Sequence, residues 1–476
     1  MGRRAYERSI ARFSGLVTSR DAGEEMTATL RLGPKHEGVA ARHGPRMTVL
    51  VHSPRPFFGR RVVAATFILA TFGWGLGFYG PPVFLQAVRD TRDWSVVLVS
   101  SAVTLHFLVG AVVVANLPAL YRHFGLPGIT KAGALLLAAG VLGWALAREP
   151  WQLLLASVLS GAGWVAMGAA AVNAIIASWF VARRPMALSM AYNGASIGGV
   201  VFSPLWVAAI TALGFPLAAA VIGAAMVVTI WLLSDFVFSR TPESLGQQPD
   251  GETPCGNAIA APAPAAATVS RPSLPGRLLW RDARFLTLAA AMAVGLFAQI
   301  GLIAHLFSLL VPTFGASAAG VLMGLATAAA IGGRTLAGWL MPKDGDRRLV
   351  ACLSHVVQIA GSMALMGALL VAGGSHPLLL AAGVLLFGAG IGNTTSLPPL
   401  IAQVEFSKED VVRVVPLIVA IGQATYAFAP AAFGWLRTLS LSEGPGENLA
   451  EGLPVFVAAG LIQAAAIVFF LSGRRR

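Results

Sequence analysis

The chain has 476 residues, of which 56% are hydrophobic and 12% are charged, and its mean hydropathy is +0.73. Soluble domains carry roughly 25% charged residues, so this composition excludes an ordinary soluble protein and indicates a polytopic membrane protein. In a soluble protein the formal net charge of +13 would suggest a nucleic acid partner. Here the placement of the charges between apolar segments explains the excess better, and we expect a lipid bilayer and no nucleic acid as partner.

Apolar segments of helix length alternate with short polar breaks from Arg61 onward. Because the ~30 Å hydrocarbon core needs about 20 helical residues, they predict an all-α protein with twelve transmembrane helices. The predicted spans are 62–84, 94–117, 127–147, 151–177, 187–212, 214–237, 283–311, 315–341, 347–373, 377–402, 412–438 and 451–472.

The domain organisation follows from the polar segments. Residues 1–60 are Arg-rich and predict a disordered tail, with translation from Met47 as an alternative for its start. Residues 239–282 contain APAPAAATVSRPSLPG, which predicts a linker. The linker separates a six-helix bundle at 61–238 from a second one at 283–473. Most of the 34 lysines and arginines fall on the side of the tail and linker, which predicts a multi-pass protein of the plasma (inner) membrane with both termini in the cytoplasm.

One permanent charge lies inside a predicted span. Arg334 belongs to the apolar segment ASAAGVLMGLATAAAIGGRTLAGWLMP at 316–342. An arginine within a membrane helix costs at least ~2.5–3.5 kcal/mol and is therefore typical of a functional site. Of the acidic residues only Asp235 and Glu405 approach a span, and both lie near predicted cytoplasmic ends. We therefore expect Arg334 to bind an anionic substrate, with snorkelling to the cytoplasmic face as the alternative.

Three segments resemble known transporters. FGWGLGFYGPPVFLQAV at 72–88, SWFVARRPMALSMAYNGASIGGVVFSPLW at 178–206 and GRTLAGWLMPKDGDRR at 333–348 are similar to the first helix, the fourth-to-fifth helix junction and the eighth helix of monocarboxylate transporters. The chain thus resembles the monocarboxylate and oxalate/formate antiporter branch of the major facilitator superfamily. The resemblance implies the major facilitator fold of two six-helix halves, and a substrate-associated arginine at Arg334.

The sequence departs from that branch where protons would be coupled. Ala330 stands where proton-coupled members have an acidic residue one turn before the arginine, and Tyr79-Gly80-Pro81 stands where they have a lysine. The eleventh helix offers Gln423 and Tyr426 in place of the antiporters' lysine. These differences favour exchange for a counter-anion over proton symport.

Polar side chains inside spans are expensive and tend to face a cavity. We predict a substrate site formed by Arg334 with Tyr79, Asn193, His305, Asn393, Gln423 and Tyr426. Each of these residues can also bond between helices, and packing is an alternative for Tyr79 with Trp74 and Phe78. A proton carried by His305 would provide symport as a second mechanism.

The predicted function is secondary active transport of small, monocarboxylate-like organic anions by alternating access, either by exchange or coupled to protons. The glycine-rich GASIGG and GAGIG lie inside apolar spans with no Walker lysine, so ATP-driven transport is not supported. No motif for hydrolysis or for a metal occurs, so we expect no enzyme and no cofactor. The alternative on the same fold is an efflux carrier for amphipathic drugs or metabolites, and a non-transporting sensor is a third, weaker interpretation.

Overall fold

The computed structural model describes residues 56–181, 183–251, 276–340, 346–371, 376–439 and 452–474, and the described residues from Phe57 onward form one compact unit. The predicted tail lies outside the described residues except for its last five. The long α-helices are, in chain order, α1 (Gly59–Gly77), α2 (Gly80–Arg92), α3 (Val96–Leu146), α4 (Pro150–Ala166), α5 (Ala169–Trp179), α6 (Arg184–Leu213), α7 (Phe215–Leu233), α8 (Ala283–Leu340), α9 (Arg347–Leu370), α10 (Pro377–Glu405), α11 (Lys408–Tyr426), α12 (Ala429–Arg437) and α13 (Gly452–Ser472).

Ten helical segments of the described chain are long and apolar enough to cross a membrane. Two of them, Val96–Leu146 and Ala283–Gly338, have 51 and 56 residues. At 1.5 Å per residue each is more than twice as long as the ~30 Å hydrocarbon core is thick. Each is interrupted once by a glycine with positive φ, Gly125 (φ 70°, ψ 157°) and Gly315 (φ 72°, ψ 163°), in a conformation that side chains with a Cβ disfavour. The two glycines lie beside the breaks predicted from the sequence.

Three predicted spans are divided by short interruptions that the sequence analysis did not anticipate. The helix predicted at 62–84 breaks between α1 and α2, that at 151–177 between α4 and α5, and that at 412–438 between α11 and α12. Two of these breaks have a local cause, because α2 and α12 begin with prolines, which lack a backbone N–H donor. The break between α4 and α5 has no proline and follows Met167 and Gly168 instead.

Glycines bring α6 into direct backbone contact with α1. A Cβ on Gly194 would clash with the carbonyl oxygen of Phe67, and a Cβ on Gly198 would lie 2.6 Å from that of Thr71. Small residues of this kind let membrane helices approach closely, where van der Waals packing holds them together. The glycine-rich segment GASIGG therefore serves as a helix-packing surface.

The neighbouring stripe of α6 packs on α8. A Cβ on Gly320 would lie 2.8 Å from Val207, and one on Gly324 would lie 3.0 Å from the carbonyl oxygen of Val200. We call this contact the first seam. It lies near the end of α6 and shortly after the interruption of α8 at Gly315.

A second seam joins α3 to α12. The backbone N–H of Ala431 donates to the Thr104 hydroxyl over 3.0 Å. A Cβ on Gly434 would clash with the Ser100 hydroxyl. Both contacts lie within the first nine residues of α3 and within the nine-residue helix α12.

The first part of the predicted linker is ordered against the opposite helix ends. The Gln247 side chain accepts a 3.0 Å hydrogen bond from the backbone N–H of Phe58, at the start of α1. The Asp250 carboxylate accepts bonds of 3.1 Å from the backbone N–H groups of Val181 and Arg183, between α5 and α6. We call the surface formed by these ends the linker face. Residues 252–275 of the predicted linker lie outside the described residues.

Candidate functional site

Arg334 lies in α8 and points towards α10. Its Nε donates to the carbonyl oxygen of Gly392 over 3.2 Å, and a Cβ on Gly392 would lie 3.1 and 3.2 Å from Arg334 Nε and Nη2. A side chain at position 392 would therefore displace the guanidinium. The side chain of Arg334 is half-buried, and its two terminal nitrogens have no hydrogen-bond acceptor or carboxylate partner among the described residues. The guanidinium is thus hydrogen-bonded through Nε, and its two terminal nitrogens remain available as donors.

Tyr79 lies at the break between α1 and α2. A Cβ on Gly199 of α6 would lie 2.7 Å from Tyr79 Cζ and 2.6 Å from Thr327 Cγ2, so Tyr79, Gly199 and Thr327 meet at one point. The phenol therefore lies beside the contact between α6 and α8, at the level of Thr327, which precedes Arg334 by seven residues on α8.

Asn193 and Arg334 extend the two stripes that form the first seam. Asn193 lies seven residues before Val200 on α6, and Arg334 lies seven residues after Thr327 on α8. Residues seven apart share one helix face, so both side chains continue the contacting stripes towards the linker face. Asn193 is exposed and Arg334 is half-buried, and no contact between the two side chains is described.

Asn393 secures α10 beside the arginine. Its side chain is 4% exposed, and its Nδ2 donates to the carbonyl oxygen of Gly333 over 3.4 Å. A Cβ on Gly333 would in turn clash with the carbonyl oxygen of Ala389. Asn393 is thus adjacent to the Arg334 site, and its amide already bonds between helices.

Gln423 and Tyr426 lie on α11, along the second seam. The Tyr426 ring packs edge to face on Phe107 of α3 with centroids 5.7 Å apart. Phe107 lies 6.2 Å from Phe78, which precedes Tyr79. Aromatic rings therefore connect Tyr426 with Tyr79, whereas the half-buried Gln423 side chain has no described hydrogen bond and no described contact with Arg334.

His305 lies apart from these residues. It is fully buried, and its Nε2 bonds to the carbonyl oxygen of Pro430 over 2.8 Å. Its Nδ1 faces Arg437 Nη1 at 3.4 Å, and the same nitrogen of Arg437 donates to Ser308 over 2.7 Å. Both ring nitrogens are therefore engaged behind the second seam, and no described contact joins His305 to Arg334.

The predicted aromatic wall is partly a packed core. Trp74 lies 5.2 Å and Phe78 6.2 Å from the ring of Trp164 on α4, which is 6% exposed. These rings stabilise the contact between α1 and α4. Of the three aromatic residues, Tyr79 is the one whose phenol reaches the contact between α6 and α8, at Gly199.

Sequence reasoning missed two buried arginines. Arg348, at the start of α9, is 1% exposed and pairs with Glu405 at the end of α10 through bonds of 2.6 and 2.8 Å. Arg437 is 2% exposed at the end of α12. Both lie at helix ends, where the sequence does not distinguish a buried arginine from a loop charge. The partner of Arg348, Glu405, lies 57 positions away, and no local pattern in the sequence connects the two.

The described chain has no cluster of metal ligands, and the apolar depression found elsewhere in it differs chemically from the surroundings of Arg334. The described residues include no group of three or more His, Cys, Asp or Glu side chains arranged to hold a metal ion. An apolar depression of about 400 Å³ lies between α8, α11 and α13, lined by Val294, Phe297, Thr425, Leu461, Ile462 and Ala465. Because it has almost no polar groups, it lacks the chemistry to bind a small charged molecule.

Comparison with known proteins agrees with this architecture. The Major Facilitator Superfamily profile matches residues 67–430. Among solved structures, the chain resembles a bacterial homologue of the human lysosomal transporter Spinster (15% identity, TM-score 0.63, covering 88% of this chain and 97% of that one). It also resembles the nucleoside transporter NupG, with 12% identity and a TM-score of 0.63 over 88% of this chain and 100% of that one. A third similar structure is a D-xylose–proton symporter, with 14% identity and a TM-score of 0.65 over 86% of this chain and 97% of that one. A search of curated proteins returned no match.

The chain therefore belongs to the Major Facilitator Superfamily. It is a multi-pass membrane protein, and its family and fold indicate a transporter of small molecules in a lipid bilayer rather than an enzyme. The three structural neighbours named above are below 25% identity, and the two whose names give a substrate differ in it, so they support the fold alone. The monocarboxylate branch, predicted from three segments, stays a prediction.

Proposed function

We propose that the chain is a secondary transporter of small, monocarboxylate-like organic anions, and that Arg334 binds the substrate carboxylate. The observation that carries the proposal is the anchoring of Arg334 at Nε alone, by the carbonyl oxygen of Gly392. A guanidinium matches a carboxylate through two parallel N–H···O bonds. The two terminal nitrogens, free of acceptors among the described residues, supply such a pair of donors.

The depth of Arg334 favours this role over snorkelling. Gly392 lies 13 residues before the end of α10 at Glu405, which corresponds to about 20 Å of helix. Tyr79 follows the 19 residues of α1, or about 28 Å. A snorkelling arginine would direct its head group to the membrane surface, whereas this guanidinium bonds to the Gly392 carbonyl, about 20 Å of helix from the end of α10.

The neighbouring residues would complete a small polar site. We infer a cleft between α6 and α8 on the linker side of the first seam, with Tyr79 and Thr327 at its closed end and Asn193 and Arg334 on its two walls. Their hydroxyl and amide groups can hydrogen-bond a carboxylate or a hydroxyl of the substrate. Asn393 would support Arg334 through α10. Gln423 and Tyr426 would bound the site from α11, and His305 would lie outside it.

Alternating access would follow from the location of the two seams. We infer twelve crossings in two six-helix halves, because α3 and α8 each exceed two membrane thicknesses and break at Gly125 and Gly315. The seams then close the face opposite the linker, and the cleft opens on the linker face. With the termini in the cytoplasm of an inner membrane, this is an inward-open conformation. Rocking of the halves would break the seams and close the cleft.

Exchange is the coupling that the site favours. His305, the residue proposed for proton symport, has both ring nitrogens engaged and a guanidinium beside it. Ala330, one turn before Arg334, offers no carboxylate. A counter-anion returning through the same arginine requires neither group.

The test is uptake of radiolabelled monocarboxylates and dicarboxylates into vesicles with and without an internal counter-anion. The wild type and Arg334→Gln are compared, with Arg240→Gln, a variant of an exposed linker arginine, as the matched control. The proposal requires counter-anion-stimulated uptake that Arg334→Gln abolishes and Arg240→Gln retains. Stimulation by a pH gradient instead would establish symport. Equal activity of all three proteins would remove Arg334 from the site and leave the efflux carrier as the better interpretation.

A further inference from the structure

A chain of buried amides runs through the second part of the molecule. Gln463 of α13 donates from Nε2 to Gln358 Oε1 of α9 over 3.1 Å. Gln358 donates from its own Nε2 to the Thr394 hydroxyl of α10 over 2.9 Å. Gln463 and Gln358 are 0% exposed and Thr394 is 3% exposed. No sequence feature had singled out these residues.

The chain ends beside the acceptor of Arg334. Three consecutive residues of α10 each bond to another helix: Gly392 accepts from Arg334, Asn393 donates to Gly333, and Thr394 accepts from Gln358. Consecutive helical residues point about 100° apart. The three bonds therefore hold α10 from two sides at one level, with α8 on one side and α9 on the other.

The contacts leave little room for another rotation of α10. A Cβ on Gly390 would clash with the Gln358 side chain, and a Cβ on Gly388 would clash with the carbonyl oxygen of Ala326 on α8. Close packing alone tolerates small slippage between apolar helices. Directed hydrogen bonds between buried side chains do not, since a turned helix leaves the donors and acceptors unpaired.

We infer that Gln358 and Gln463 are positioning residues for Arg334. They fix the rotation of α10, and with it the Gly392 carbonyl that anchors the guanidinium. Loss of the chain would allow the carbonyl to move, and Arg334 would then lose the orientation in which its free nitrogens face the cleft. The effect on the substrate rests on the proposed function, whereas the effect on Arg334 itself does not.

The experiment compares Gln358→Met, Gln463→Met and Gln299→Met in the full-length protein. Methionine keeps the length of glutamine and removes its hydrogen bonds. Gln299 is the matched control, because it is a 2%-exposed glutamine of α8 with no described bond to α10. The first readout is the rate of phenylglyoxal modification at Arg334, measured by peptide mass spectrometry, which needs no substrate. The second is the half-saturation concentration of anion uptake.

The modification rate at Arg334 and the half-saturation concentration should each change by roughly threefold to tenfold in Gln358→Met. This factor corresponds to the free energy of one lost hydrogen bond. The change should be smaller in Gln463→Met, which keeps the bond to Thr394, and absent in Gln299→Met. If Gln358→Met fails to fold, Thr394→Val removes the same bond with an isosteric side chain. Wild-type modification rates in Gln358→Met, or the same change in Gln299→Met, would overturn the inference. If the wild type transports no anion, the proposed function is refuted, but the modification rates at Arg334 still test the positioning role of Gln358 and Gln463.

Discussion

The ion pair between Arg348 and Glu405 provides the sharpest stability prediction. Arg348 is 1% exposed, and its guanidinium donates to both carboxylate oxygens of Glu405 and to the backbone oxygens of Arg284 and Phe470. The substitution Glu405→Gln removes the countercharge and leaves the buried cation in place. Breaking a buried pair in this way costs about 3–5 kcal/mol.

The partial exposure of Glu405 reduces this figure. Its side chain is 21% exposed, so water replaces some of the lost interaction. We therefore expect the lower end of the range, about 3 kcal/mol. The control is Asp235→Asn, because Asp235 pairs with Lys131 at the surface with 50% of its side chain exposed. That pair should contribute less than about 1 kcal/mol.

The assay is thermal and denaturant unfolding of purified protein in one detergent, with both variants measured beside the wild type. Glu405→Gln should lower the unfolding midpoint several times more than Asp235→Asn. Adding Arg348→Met to Glu405→Gln should recover much of the loss, since no buried charge remains. Equal midpoints for Glu405→Gln and Asp235→Asn would refute the claim that the buried pair matters through desolvation.

Three further predictions concern helix ends. The hydrogen bond from Arg284 holds the pKa of the Asp282 carboxyl below its ordinary value of 3.8. The stabilisation by the Asp282 carboxylate is therefore complete above pH 3.8 and is lost as the pH falls below that value. When the unfolding midpoint is measured against pH, Asp282→Asn should lack this acid-dependent loss of stability. Asp250→Asn keeps a residue that tolerates the positive φ of 62° but weakens two bonds to backbone N–H groups, and should cost about 1 kcal/mol in the same unfolding assay. Thr104→Val leaves the N–H of Ala431 unpaired, which costs about 1–3 kcal/mol. Because this bond belongs to the second seam, its loss should shift the protein towards the conformation that is open on the face opposite the linker. The shift is measured as faster alkylation of a cysteine placed in the second seam.

Each of these predictions has a matched control. For Asp282 it is Asp93→Asn, an exposed carboxylate at the end of α2, which should leave the acid titration unchanged. For Thr104 it is Thr229→Val, whose hydroxyl bonds only within α7 among the described residues and should leave alkylation unchanged. For Asp250 it is Glu243→Gln in the same segment, which is exposed and should leave the midpoint unchanged. A control that changes as much as its test variant would contradict the corresponding prediction.

The positions of the membrane-crossing segments could be predicted from the sequence because hydropathy is a local property. The breaks at Gly125 and Gly315 also have local signals, since both lie between apolar segments. The break before α2 could have been read from Pro81 and Pro82, because consecutive prolines cannot continue the hydrogen bonding of a preceding helix. The break at Met167 and Gly168 has no such signal and depends on packing between helices.

The candidate site was predictable only in part, because its contacts depend on packing between helices that are distant in sequence. Arg334 stands out in any reading, because a permanent charge in an apolar helix is rare. The contacts of Arg334 are not local: Gly392 is 58 positions away, and its role as hydrogen-bond acceptor requires the crossing of α8 and α10. The chain through Gln358 and Gln463 spans 105 positions and gives no periodic signal. His305 and Asn193 give the same signal in the sequence, a polar side chain in an apolar span, and their different surroundings depend on tertiary contacts.

Anion binding by Arg334 is the central claim, and substrate-dependent protection tests it most directly. Phenylglyoxal modification of Arg334 would be followed by mass spectrometry while lactate, oxalate or a neutral sugar is added, and counter-anion-driven uptake would be measured on the same preparations. We predict that the carboxylate that is transported slows modification at Arg334 and not at Arg240, and that the sugar has no effect. Transport of an anion with no protection of Arg334, or undiminished transport by Arg334→Gln, would contradict the claim.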